Sequence, residues 1–119
     1  MTVQECYEKM EADYNAVFGR LAKDERIKKF LIMFLKDSSY ELLNSSIQSK
    51  NAEEAFRAAH TLKGVGQNLS LTKLYESASR LSDLLRGKTD FTDDVLPEFE
   101  TLSAEYKKTI ACIKELSAE

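Results

Sequence analysis

The chain has 119 residues, of which 43% are hydrophobic and 31% charged, with a formal net charge of −3. This composition fits one globular domain whose core needs neither metal nor disulfides, and it argues against disorder. The acidic balance gives no electrostatic reason to expect nucleic acid or an anionic membrane as a partner. One proline and four glycines supply few turns, so long elements and an all-α fold are expected.

Cys6 and Cys112 lie near opposite ends of the chain, with no CxxC pair and no disulfide framework. Two reduced thiols in a cytoplasmic protein are the expectation, a bridge between the first and last helices the alternative. The N-terminal segment lacks the apolar stretch of a secretory leader. The longest apolar run, Phe30 to Leu35, is six residues, far short of the roughly 18 needed to span a bilayer.

The first element is a short helix capped by Thr2, with Glu5 three residues on as in a capping box. Tyr14, Val17, Phe18 and Leu21 continue an apolar stripe that Gly19 interrupts, so residues 1–22 read as an N-terminal helical cap. Asp24 precedes a strong helix bearing Ile27, Phe30, Leu31, Phe34 and Leu35. Tyr40, Leu42, Leu43 and Ile47 continue it through a bend near Ser38 and Ser39. Asn51 is an N-cap, with Glu53 and Glu54 in the first turn where the helix dipole favours negative charge, and that helix runs to about Leu69.

Ser70 or Thr72 restarts the chain as a helix with Leu74, Ala78, Leu81 and Leu85 on one face, ended by Arg86, Gly87 and Lys88. Thr92 caps the last helix, and Pro97 falls near its start, where a missing N–H costs least. Its expected core face is Leu96, Phe99, Leu102, Tyr106, Ile110 and Ile113. Long helices joined by short loops pack antiparallel. The expected fold is an up-down-up-down four-helix bundle over residues 24–119, with residues 1–22 as a short extra segment on a single domain.

The most informative stretch is Ala59-His60-Thr61-Leu62-Lys63-Gly64, which holds the only histidine of the chain. At about 100° per residue, Ala55, Ala58, Leu62, Val65 and Leu69 fall within about 45° of the pole opposite His60. Lys63, Gly64, Gln67 and Glu53 fall within about 60° of His60 itself. The histidine is therefore expected to point away from the core, among polar neighbours. A glycine inside a helix costs roughly 1 kcal/mol relative to alanine and needs a reason. Gly64 clears room beside His60, and Gly66, nearer the core side, permits close helix packing. Phe56, one turn before His60, lies nearer the exposed face than the core.

Neutral imidazole is a competent nucleophile. Once phosphorylated it gains negative charge, which the Lys63 ammonium one turn away would stabilise and to which Gln67 can donate a hydrogen bond. The parts of a stand-alone catalyst are missing: there is no phosphate-binding glycine loop, no HExxH and no ExxH, because position 57 is Arg57. The ligand set for a metal site is nearly empty. This histidine reads as an acceptor and donor whose chemistry a partner supplies.

The AHTLKG hexapeptide followed by Asn68-Leu69 resembles the signature of histidine-containing phosphotransfer (HPt) domains, an AHxLKG core with Leu-Gly a few residues on. The resemblance implies a four-helix bundle and a phosphorelay intermediate rather than an enzyme. His60 would be the phosphorylated residue, Lys63 its electrostatic support and Gly64 its access. Partners would be response-regulator receiver domains or a hybrid histidine kinase, with neither nucleic acid nor membrane. The carrier would be a cytoplasmic monomer without cofactor, and Mg²⁺ would belong to the partner receiver. Phe56, Arg57 and Ser82 are candidate docking or supporting residues. Two departures stand out. Ser70 occupies a position where the family often has glycine, and Ser82 falls where many relatives carry a longer polar group that hydrogen-bonds the histidine. A helical docking module that binds receivers without phosphate is the second reading, and the intact His60, Lys63 and Gly64 argue against it. A metal-dependent or hydrolytic enzyme is the third, with almost no residues to support it.

Overall fold

The computed structural model describes residues 1–119 as seven α-helices without a strand. These are α1 (Val3–Met10), α2 (Tyr14–Leu21), α3 (Asp24–Phe34), α4 (Ser39–Gln48), α5 (Ala52–Asn68), α6 (Thr72–Leu85) and α7 (Val95–Ser117). The all-α class agrees with the sequence, and Thr2 and Glu5 form the expected capping box on α1. No helix is long and apolar enough to cross a membrane.

Three expectations are corrected. The helix expected to bend near Ser38 is two helices, interrupted over Leu35–Ser38, where the Asp37 carboxylate accepts the Ser39 N–H at 2.8 Å and starts α4 afresh. Thr92 does not cap α7: its hydroxyl is bound to the Asp94 carboxylate, and Asp94 takes the cap position. Leu96 is 55% exposed, and its neighbour Val95 is buried instead. The core face of α7 starts one residue earlier than the pattern suggests and runs through Phe99, Leu102, Tyr106, Thr109, Ile113 and Leu116.

Turns are more numerous than the glycine count implies, because other residues make them. Glu11, Lys50 and Ser70 all have positive φ, each just past the end of a helix. After α5, the Leu71 N–H reaches the Gly66 carbonyl at 2.8 Å and the Ser70 N–H reaches the Gln67 carbonyl at 3.2 Å. This pair of bonds is a Schellman motif, which satisfies carbonyls that a helix end otherwise leaves without partners. The same pair recurs after α4, from Asn51 to Ser46 and from Lys50 to Ile47.

The N-terminal helices anchor the end of α5. Tyr7 is fully buried and donates its hydroxyl to the Leu69 carbonyl at 2.8 Å. The Asp13 N–H donates to the Ser70 carbonyl at 3.0 Å, and the Arg20 guanidinium donates to the Gln67 carbonyl. Helix α4 meets α7 through Tyr40, whose ring stacks on Tyr106 at 4.1 Å and whose hydroxyl binds Ser103 at 2.9 Å. Glu11 ties α1 to the other side of the molecule by bonds to Lys73 on α6 at 2.7 Å and Lys108 on α7 at 3.1 Å.

The tightest contact joins α5 to α6. A Cβ built on Gly66 would lie 3.1 Å from the backbone N and Cα of Tyr75. Phe56, ten residues before Gly66 on α5, meets Arg86, eleven residues after Tyr75 and just past the end of α6. The two helices therefore run antiparallel, with the glycine packed directly against the α6 backbone.

Three stability outcomes follow, each readable by urea denaturation. Gly66→Ala should destabilise the fold by about 1–3 kcal/mol, because backbone rather than a flexible side chain must yield. Gly64→Ala, with nothing within 4 Å of the added carbon, should instead stabilise by up to about 1 kcal/mol. Ser70→Gly should stabilise by about 1 kcal/mol or more, since it relieves a left-handed backbone and removes a buried hydroxyl that has no partner.

The Glu11 ion pairs should make stability depend on pH. Its hydrogen bonds to Lys73 and then Lys108 hold the carboxyl below its ordinary value of 4.5. A depressed folded-state value means that the native state binds the proton less readily than the unfolded chain. The advantage of wild type over Glu11→Gln should be full above pH 4.5 and disappear as pH falls through the lowered value.

Candidate functional site

Helix α5 carries the site, and its start is well determined. The Asn51 side chain accepts the Glu54 N–H at 3.1 Å, with Glu53 and Glu54 in the first turn. Ala52, Ala55, Ala58, Ala59, Leu62 and Gly66 are buried. Four of these are alanines, so α5 lies close to its neighbours. Val65, expected in the buried stripe, is only half-buried, whereas Ala59 beside the histidine is wholly buried. The helix is thus rotated slightly from the ideal phase, toward α6.

His60 is exposed and its ring makes no hydrogen bond. The half-buried Phe56 lies one turn before it, with ring centroids 5.7 Å apart and planes 21° apart. Lys63 lies one turn after it, half-buried and without an ion pair. Gly64 leaves open space on the adjoining flank, with no atom within 4 Å of where a Cβ would stand. Gln67 is exposed one further turn along, its carbonyl already engaged by Arg20. Imidazole, ammonium and amide therefore follow one another along the solvent side of α5, beside a gap.

The other cations near the site are already engaged. Arg57 is exposed and pairs with Glu53 at 3.5 Å along α5. Arg86, at the end of α6, pairs with Asp83 at 3.3 Å, and its guanidinium carbon lies 5.3 Å from the Phe56 ring centroid. Lys63 is the free cation, and an approaching anion would meet it without breaking a pair. Ser82 is fully buried and its hydroxyl has no partner. No hydrogen bond links it to His60, so the shorter side chain does not reach as a longer polar group would.

Two features escaped the sequence reading. One is Arg86, brought to Phe56 by the antiparallel register of α5 and α6. The glycine at position 66 was the available clue, because a close approach there levels the end of α6 with the start of α5. The other is an open groove of about 480 Å³ between α2, α3 and the C-terminal half of α5. Leu21, Phe30, Met33, Phe34, Val65 and Leu69 supply its apolar lining. Met33 is 54% exposed and Phe30 39%. Helical periodicity assigned both aromatics of α3 to the core, but only Phe34 is buried there. No group of three histidine, cysteine, aspartate or glutamate side chains is close enough to hold a metal ion.

The thiols of Cys6 and Cys112 are both buried and free, and the Cys6 Sγ lies 3.7 Å from the Cys112 carbonyl oxygen. Burial pushes the Cys6 thiol up to about 11, away from the reactive thiolate form.

Compared with known proteins, the chain matches the family model described as the Hpt domain over residues 29–114. No curated protein and no solved structure gives a significant match. The matched segment runs from within α3 to within α7 and contains His60, Lys63, Gly64, Gln67, Ser82 and Arg86, leaving α1 and α2 outside it. The match covers well over half of the chain, and with His60 of the AHTLKG segment exposed on a helix inside it, the chain belongs to the Hpt domain family.

Proposed function

We propose that this chain is a phosphorelay intermediate that accepts and donates a phosphoryl group on His60, shuttling it between receiver domains or between a histidine-kinase system and a response regulator. The observation that carries the reading is an exposed, unbonded imidazole with an unpaired ammonium one turn away and open space over Gly64. Family membership supports phosphotransfer in two-component signalling in general. The reading treats the chain as a carrier rather than an enzyme, and as a cytoplasmic monomer.

In the forward step a ring nitrogen of His60 attacks the phosphorus of an aspartyl phosphate on the receiver. The P–N bond forms as the P–O bond to the carboxylate breaks, and the ring gives up its N–H proton to solvent. Lys63 offsets the charge that arrives, and Gln67 can donate to a phosphoryl oxygen. Mg²⁺ and the aspartate belong to the partner, as does the rest of the chemistry. The reverse step regenerates free imidazole and the acyl phosphate.

The domain reading that accompanies this function takes residues 24–119 as an up-down-up-down four-helix bundle. Its first leg is α3 with α4, followed by α5, α6 and α7, and residues 1–22 form a cap. The contact of α4 with α7 through Tyr40 and Tyr106 supports a closed ring of helices. The apolar groove beside α5 is the face on which a receiver would dock. Val65 lies roughly 8 Å along the helix from His60 but on its far side, whereas Asn68, which also lines the groove, turns toward the Gly64 flank, the side from which a partner seated in the groove extends toward the histidine. A docking module that never carries phosphate would have no use for an unpaired Lys63 beside open space.

Radiolabelled phospho-receivers incubated with the chain should pass label to the wild type and none to His60→Gln, with the variant's helicity unchanged by circular dichroism. Gly64→Ala should accept label more slowly, by on the order of tenfold, although it is the more stable protein. Equal receiver binding by wild type and His60→Gln, with no label on either, would favour the docking module.

A further inference from the structure

We infer that Cys6 and Cys112 are a redox-responsive pair, set by the native fold to form an intrachain disulfide that locks α1 onto α7 when the chain meets a disulfide oxidant. The inference stands apart from the carrier reading, since neither cysteine belongs to the site on α5.

The register of two helices places the pair. Glu11, just past α1, meets Lys108 of α7 at 3.1 Å. Cys6, five residues back, meets Cys112, four residues on, so α1 runs antiparallel to this part of α7. Lys9 reaches Glu115 at 3.2 Å across the same interface. At this level the Cys6 Sγ lies 3.7 Å from the Cys112 carbonyl oxygen, so one thiol already rests on the backbone of the other cysteine. A disulfide needs Cα atoms roughly 4.4–6.8 Å apart, and side-chain rotation from this contact brings the two sulfur atoms together. Both thiols are free, and the chain has no third cysteine to compete for either.

The same packing keeps the pair reduced at rest. Cys6 is fully buried and Cys112 nearly so, and burial holds Cys6 in the unreactive thiol form. An oxidant reaches them only when α1 lifts. That helix has eight residues, and the ion pairs that tie it to α7 are exposed, so they contribute little. Opening of α1 as a local unit restores ordinary thiol reactivity without unfolding the bundle.

The chemistry is thiol–disulfide exchange. With α1 lifted, one cysteine thiolate attacks a sulfur of a small disulfide such as oxidised glutathione. The S–S bond of the oxidant breaks, and one glutathione thiolate leaves and takes up a proton. As α1 returns, the second cysteine gives its proton to solvent and attacks the protein sulfur of the mixed disulfide, expelling the second glutathione thiolate. Two protein thiols are oxidised to one disulfide, and one disulfide oxidant is reduced to two thiols.

The bridge would make the hold of α1 on the bundle covalent. Tyr7, next to Cys6, binds the Leu69 carbonyl at the end of α5, and α2, which follows α1, walls the apolar groove. Oxidation would therefore stiffen the cap on which that end of α5 rests.

The test equilibrates the full chain with graded ratios of reduced to oxidised glutathione, in buffer and in concentrated urea, and quenches exchange with acid. Intact mass should show the loss of two hydrogens with no glutathione attached, and peptide mapping should join the Cys6 and Cys112 peptides. A bridge that fits the native fold forms more readily there than in the unfolded chain, so its exchange constant should be higher in buffer than in urea by on the order of tenfold or more. The bridged protein should unfold at higher urea, and the α1 amides should exchange more slowly with deuterium.

Glutathione left on one cysteine, a bridge between two chains, or thiols that stay reduced at every ratio would each overturn the inference. So would a bridge no more favoured in buffer than in urea, because the native geometry would then not be set for it.

Discussion

The rest of the structure depends on the approach of α5 to α6 at Gly66. The missing side chain lets the backbone of Tyr75 come to within 3.1 Å of where a Cβ would stand, and that contact fixes the rotation of α5 about its own axis. With Ala55, Ala58, Ala59 and Leu62 committed to the core, the 3.6-residue period leaves His60 no direction but outward. The same rotation turns Phe56 and Lys63 toward the α6 side and leaves Gly64 beside open space. Site geometry is thus a consequence of core packing, made before any ligand or partner is present. The far end of α5 is held as firmly, by Tyr7, Asp13 and Arg20 binding the carbonyls of Leu69, Ser70 and Gln67.

The chemistry of the site follows from how its charges are shared out. Arg57 and Arg86 each have a carboxylate within 3.5 Å, whereas Lys63 has none, so the cation next to the imidazole is the one free to meet an incoming anion. Nothing on this helix cradles a nucleotide. The site offers a nucleophile, a charge and room, in keeping with a carrier whose partners bring the rest. An open apolar groove lies between α2, α3 and the C-terminal half of this helix.

Much of this was legible in local sequence. The Asn51 cap, the alanine and leucine stripe of α5, the exposure of His60 and the packing role of Gly66 all depend on residues within a few turns of each other, where helical period and capping chemistry suffice. The turns were harder. Left-handed residues at Glu11, Lys50 and Ser70 make connections that glycine would ordinarily mark, and the break over Leu35–Ser38 carries neither glycine nor proline, so the pattern runs one helix through it. Val95 rather than Leu96 opens the α7 face, in register with Phe99, Leu102 and Tyr106, a matter of how the helix lies against its neighbours. The meeting of Arg86 with Phe56, and the exposure of Phe30 and Met33 in a groove, are tertiary facts. They arise from how helices distant in sequence lie against each other, which periodicity along one helix does not contain.

The central claim is that the helix phase set by core packing presents His60 as the phosphoryl acceptor. The most direct measurement is the location of the phosphate after incubation with a phosphorylated receiver, mapped by mass spectrometry with the sample kept neutral or alkaline throughout. The account predicts one phosphoryl group per chain, on His60, stable in base and lost in acid as a phosphoramidate should be. Phosphate on a serine, threonine or aspartate, or none on a folded chain from any receiver, would contradict it.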